Sequence, residues 1–245
     1  MAAAFVGASI RASVPYRQDQ SFFNRFALTL ALLIVFAFAQ FALRGFSSPT
    51  AAPWWVHVHG VVMLGWLGLL VTQNLLAQNG DLALHRKLGR IGAGLVVVIV
   101  VLGSFTAIKA LQMNRFPPFF TGAYFLGLSV IGVSIFAAMV AWAIARRRDP
   151  QWHRRLMLGA TFLLLEPAFG RLLPMPLLMP YGEAVTMLLQ LSGLAILMSH
   201  DRHVLGRVHP ASLASAAVVV TAHATFELFS RLPAAQALAS SIAAA

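Results

Sequence analysis

The chain has no cysteine. That single absence excludes disulfides, thiolate-held metals, iron–sulfur clusters, haem attached through a C-x-x-C-H motif, and cysteine nucleophiles. It also removes any sign of redox compartment. Acidic residues are scarce: seven Asp and Glu face 18 Lys and Arg, and charged residues make up only 10% of the chain. There is no Walker A loop, no H-E-x-x-H helix, no nucleophile elbow and no glycine-rich phosphate loop.

What the chain has instead is apolar length. Hydrophobic residues make up 59% of the 245, and mean hydropathy is +0.79. Long uncharged stretches of this kind are transmembrane helices, each needing about 20 residues. Seven segments qualify: Phe26–Leu43, Trp54–Ala77, Ile91–Met113, Gly122–Ala145, Leu156–Leu178, Glu183–His200 and Ala211–Leu232. The fifth contains Glu166, Pro167, Arg171 and Pro174, which predict a kink or a break. The expected fold is an all-α polytopic bundle. Residues 1–25 form a cytoplasmic N-terminal segment, 26–232 the transmembrane domain, and 233–245 a small, uncharged, flexible tail. The first apolar run is longer than a signal-peptide core and is read as a retained helix.

Charge placement sets the expected orientation. With the N-terminus inside, thirteen of the eighteen Lys and Arg fall on the cytoplasmic side: Arg11, Arg17, Arg25, Arg86, Lys87, Arg90, Arg146, Arg147, Arg148, Arg154, Arg155, Arg202 and Arg207. Five fall outside: Arg44, Lys109, Arg115, Arg171 and Arg231. This predicts an N-in, C-out protein and accounts for the net charge of +11 without nucleic acid. The bilayer is the expected partner.

Three inner turns resemble one another: HRKLGR at His85–Arg90, HRRLML at His153–Leu158, and RHVLGRVHP at Arg202–Pro210. They suggest repeated helix hairpins, two–three, four–five and six–seven. Two uses fit their basic residues, which include His85, Arg86, Arg90, His153, Arg154, Arg155, His203, Arg207 and His209. They anchor helices to anionic headgroups, or the arginines converge on a phosphate, a carboxylate or haem propionates.

The four aspartates map to cytoplasmic segments, and Glu166, Glu183 and Glu227 to the outer half, together with His57, His59 and His223. Ionisable groups at membrane depth face the interior and pair with one another. His57 and His59 are about 200° apart around a helix, so they do not share one small site. His59, Trp66, Gln73 and Asn74 fall near one stripe, which predicts a polar track facing inward. His223 and Glu227 share a face, as do Glu227 and Arg231. Glu166 is expected to pair with Arg171, so that Glu166, Arg171 and Glu227 form a polar membrane network.

Four uses fit this set. His59 and His223 can ligate haem b from two helices, with His57 as a further candidate ligand and an unidentified redox partner or quinone. His57 or His59 with His223, Glu227 and Glu166 can hold a metal, His59 and His223 being the leading ligands. Glu166 and His223 can carry protons in a coupled transporter. Or the set is a purely structural polar network.

The strings HVHG…W…Q…HRKLGRIG, HRRLM…EP…GR and DRHVLGRVHPA are similar to those of a family of uncharacterised bacterial multi-pass, seven-helix integral membrane proteins. The resemblance spans helix two to helix seven. It implies the bacterial inner membrane and assigns no catalytic residue. A looser similarity, in histidine placement alone, is to small haem-handling membrane proteins, and the leading expectation is a haem b-binding or electron-transfer role.

Overall fold

The computed structural model describes residues 15–245, and every described element is a helix or a connection. Arg11 and the start of the N-terminal segment lie outside the described residues. Helix α1 spans Tyr16–Leu43. It starts well before Phe26, because Asp19 and Gln20 are buried and continue inward the stripe of Phe23, Ala27, Leu30, Ile34 and Ala37. The expected boundary left that polar turn in the cytoplasmic N-terminal segment.

Helix α2 spans Trp54–Asn79 and ends at Gly80, whose φ of +80° suits a residue without a Cβ. Helix α3 spans Leu82–Gln112. The Asp81 side chain caps it by accepting from the Leu84 amide at 3.0 Å. The cap lies upstream of HRKLGR, so those residues are the first turns of α3 rather than a connection opening at Ile91. Helix α4, Gly122–Ala145, is capped by Thr121 and widens into a π-helical turn at Gly127–Ile131.

The expected fifth span is three pieces: α5 (Pro150–Leu163), α6 (Glu166–Leu172) and α7 (Met175–Leu178). Pro167, Pro174 and Pro176 lack the N–H groups a continuous helix requires. Helices α8 (Gly182–Leu205) and α9 (Pro210–Arg231) follow. The segment 233–245, expected to be flexible, carries α10 (Pro233–Ala243). Ala235 and Ala239 of α10 are buried against Leu111 and Ala123. Small side chains let this short helix lie close on the ends of α3 and α4.

Among the described residues, α1, α2, α3, α4, α8 and α9 are long and apolar enough to cross a membrane. Their outward faces remain apolar: Phe36, Val61, Val97, Val101 and Leu228 are exposed. Such a belt fits lipid rather than water. Neighbours run α1–α2–α3–α4–α5–α9–α8, with α6 returning to α1. One end of this bundle carries the turns near residues 80, 147 and 207 with their arginines, and is called the basic end below. The other is the far end.

Lipid offers apolar contacts as good as those between helices, so close fit must hold the bundle. Glycines supply it where α5 crosses α9 and α8. A Cβ on Gly159 would collide with Ser215, and one on Gly193 would enter the Phe162 ring. Gly193→Ala should lower the unfolding midpoint in detergent by several degrees, since overpacking costs about 1–3 kcal/mol. Gly170→Ala, with nothing within 4 Å of the new methyl, should leave it unmoved.

Candidate functional site

The break after α5 makes the site. Pro167 ends helical continuity, and Glu166 sits buried at the first residue of α6. The Phe162 carbonyl at the break accepts from Gln190 Nε2 at 3.0 Å. Gln190 lies on α8, seven residues after Glu183 and so on the same face. His223 reaches in from α9 and Tyr124 from the first turn of α4.

The distances define one cluster in the far half. His223 Nε2 lies 2.9 Å from Gln190 Oε1 and 3.5 Å from Glu166 Oε2. Gln190 Nε2 lies 3.4 Å from Glu166 Oε2. Tyr124 donates its hydroxyl to Glu183 Oε2 at 2.6 Å, and His223 Nδ1 lies 4.0 Å from that same oxygen. Ligand atoms from Glu166, Glu183 and His223 all fall within 4.8 Å of one another.

Gln190 orients the histidine. Its amide nitrogen donates to Phe162, so its oxygen accepts from His223 Nε2–H. That assignment leaves the Nδ1 lone pair facing Glu183. Glu183 Oε1 is buried and has no hydrogen-bond partner. Two ionised carboxylates this close repel, so the pair either holds a proton between its members or takes up a cation. A four-coordinate metal ion with bonds of about 2.0–2.2 Å would draw the three ligands together by roughly 1 Å. Such a metal would satisfy the orphaned oxygen, while Gln190 would hold the imidazole from behind.

The expected residues divide. His57 is exposed, whereas His59 is turned inward toward Gly103 on α3. His59 and His223 thus lie against different neighbours. Glu166 does not pair with Arg171, which donates to the Pro167 carbonyl at 2.7 Å and stacks over Phe38 at 4.0 Å. The α6 turn satisfies Arg171 locally, and His223 with Gln190 satisfies Glu166. Glu227 is exposed and pairs with Arg231, so it does not join the cluster. Glu183, Gln190 and Tyr124 were missed as site residues. The stripe argument applied to helix two, applied to α8, would have paired Glu183 with Gln190.

The basic turns divide as well. Arg86, Arg90, His203 and Arg207 are exposed, as headgroup anchors require. Arg154 and Arg155 are neither anchors nor part of an anion pocket. Arg154 pairs with Asp19 of α1 and lies 4.0 Å over the Phe23 ring. Arg155 Nε donates to Asp201 Oδ1 at 2.8 Å, while Asp201 Oδ2 accepts from Ser212 Oγ at 2.6 Å and the His209 amide at 3.1 Å. Asp19 also meets His200 Nε2 at 2.8 Å, with that ring stacked on Phe22. Buried arginines already neutralised by carboxylates leave no charge for an outside anion.

His85 donates from Nδ1 to the Gln73 carbonyl at 3.2 Å, and His153 from Nδ1 to the Ala143 carbonyl at 2.8 Å. Each histidine ties the second helix of a hairpin to the first. His209 instead caps its own helix, accepting from Ala211 at 3.1 Å. In this detail the resemblance among the turns covers two of the three hairpins.

Comparison with known proteins finds no matching family model, no curated relative and no matching solved structure, so geometry alone carries the functional reading.

Two outcomes follow at the basic end. Asp201→Ala strands Arg155 in a buried site and should cost about 3–5 kcal/mol in reversible unfolding. Adding Arg155→Met should recover much of that loss. The second outcome concerns His209, whose pKa is pushed down to about 4 by burial and by Arg155, against the opposing pull of Asp201. An unfolded histidine titrates near about 6.5. Between these values the unfolded chain binds the extra proton, so this histidine's stability contribution is full above about 6.5 and is lost as pH falls toward 4. The midpoint of His209→Asn should vary less across that window.

Proposed function

We propose that this is a proton-coupled carrier of divalent transition-metal ions, with Glu166, Glu183 and His223 as its ion site. The observation that carries this reading is the set of three ligand atoms from three segments within 4.8 Å, beside a buried Glu183 oxygen that lacks a hydrogen-bond partner. Two carboxylates and one imidazole suit manganese, iron, cobalt or zinc better than softer ions. Three protein ligands leave a coordination position for water or for release.

Coupling to protons follows from the ligand chemistry. Imidazole and carboxylates bind a metal only in deprotonated form, so loading the site expels protons and emptying it takes them back. The broken segment α5–α7 supports carrier use. Discontinuous helices beside a buried ion site are how many transporters let one part of the bundle move against another. A cavity of about 470 Å³ at the far end, lined by Gln112, Asn114, Thr121, Gln236 and Ser240, offers an approach. It reaches Thr121, which caps the helix turn carrying Tyr124.

The reading includes a topology. Counting α5–α7 as one span gives seven, with the basic end cytoplasmic, the N-terminus in and the C-terminus out, in a bacterial inner membrane. The carrier therefore takes its ion from the outer side.

Purified protein titrated with Co²⁺ should develop visible d–d bands and release protons into weak buffer. Glu166→Gln, Glu183→Gln and His223→Ala should each weaken Co²⁺ binding at least tenfold. Proteoliposomes should exchange Mn²⁺ for protons. Absence of cobalt bands, or variants that bind as the wild type does, would overturn the reading. A Soret band lost in both His59→Ala and His223→Ala would instead establish haem.

A further inference from the structure

A second polar system, sharing no residue with the proposed ion site, lies on the stripe of α2 that faces α3 and α4. His59, Trp66 and Gln73 follow one another at intervals of seven residues. Each has a buried polar atom without a hydrogen-bond partner: His59 Nδ1, Trp66 Nε1 and Gln73 Oε1. Thr106 Oγ1 on α3 is a fourth. Trp66 is 2% exposed and packs edge-on against Phe136, with ring centres 5.0 Å apart. An unpartnered polar group in a membrane interior costs several kcal/mol if it stays dry, so four in one interface call for a shared ligand.

The two ends of the stripe both suit water. At the far end a cavity of about 60 Å³ is lined by Thr106, Trp55, Val56, Lys109 and Arg115. Water needs only roughly 10–15 Å³ of such space. Thr106 lies one turn beyond Gly103, where an added Cβ would meet His59 Cε1 at 3.9 Å. At the basic end Gln73 Nε2 donates to the His85 carbonyl at 3.0 Å and His85 donates back to the Gln73 carbonyl. The His85 ring lies 6.3 Å from that of His153. Both rings donate from Nδ1 to a main-chain carbonyl, which leaves each Nε2 able to accept a proton.

We propose that this stripe is a proton-conducting path: a file of water runs from the Thr106 cavity past His59, Trp66 and Gln73 to the His85–His153 pair. Seven helical residues rise about 10 Å, a gap that roughly three waters bridge. The donor and acceptor atoms along the stripe hold those waters in line. A proton entering at one end displaces another at the next oxygen or nitrogen, and no heavy atom travels.

The test needs no divalent metal, so it stands or falls apart from the ion site. In vesicles carrying a trapped pH dye, a valinomycin-set potassium potential should drive proton entry through the full-length protein. Gln73→Met and Thr106→Val, both near-isosteric, should slow entry at least fivefold while eluting as folded protein, Thr106→Val with an unshifted unfolding midpoint and Gln73→Met with one lowered only by the loss of its bond to the His85 carbonyl. Wild-type protein that passes no more protons than empty vesicles would overturn the proposal. So would variants that conduct normally. Hydroxyl-radical footprinting gives a readout independent of flux and of any variant. Trp66 should be oxidised by radicals formed on internal water at doses that label exposed Trp54, and an unlabelled Trp66 means that the interface is dry and the path does not exist.

Discussion

Two adjacent arginines at the start of α5 govern how this bundle assembles. Arg154 and Arg155 are buried at the basic end, and each draws an aspartate from a different helix, Asp19 from α1 and Asp201 from α8. A guanidinium in such a place cannot give up its charge, so the carboxylates must come to it. Asp201 then orders the α8–α9 connection through the His209 amide and Ser212. Asp19 holds His200, and Gln20 beside it reaches Asn74 on α2 at 3.1 Å. One dipeptide thereby fixes the register of four helices. Close-packed apolar side chains alone do not choose among sliding registers, because lipid solvates them equally well.

The fold class was legible because apolar length is a coarse signal that a few polar residues cannot hide. Boundaries were less legible where polar residues continue a buried face. Asp19 and Gln20 read as part of a cytoplasmic segment ahead of the first helix because their partners are 135 and 54 positions away in sequence. HRKLGR read as a turn because basic residues cluster there, while the residue that starts the helix is Asp81. The break after α5 was visible, since proline acts on its own neighbours and needs no distant partner.

The carboxylate–histidine cluster was half legible for the same reason. Glu166 and His223 stand out as ionisable residues in apolar runs. Gln190 and Tyr124 do not, because neither is costly enough alone to demand a partner. Arg171 misled, since its nearness to Glu166 in sequence suggested a pair. Pairing with a near neighbour is the cheaper guess, but α6 begins at Glu166 and turns Arg171 toward α1, where the Pro167 carbonyl and Phe38 receive it.

The two polar systems use different interfaces, and that separation has a physical consequence. The carboxylate cluster lies where α4, the α5–α6 break, α8 and α9 meet. The α2 stripe lies against α3 and α4, with Trp66 edge-on to Phe136. An ion site must exclude bulk water to keep its few ligands strong, whereas a proton path must admit it. Joining them would let the file hydrate the carboxylates and weaken their hold on any cation. One helix thus contributes Tyr124 to the carboxylate cluster and Phe136 to the packing of Trp66 on the α2 stripe.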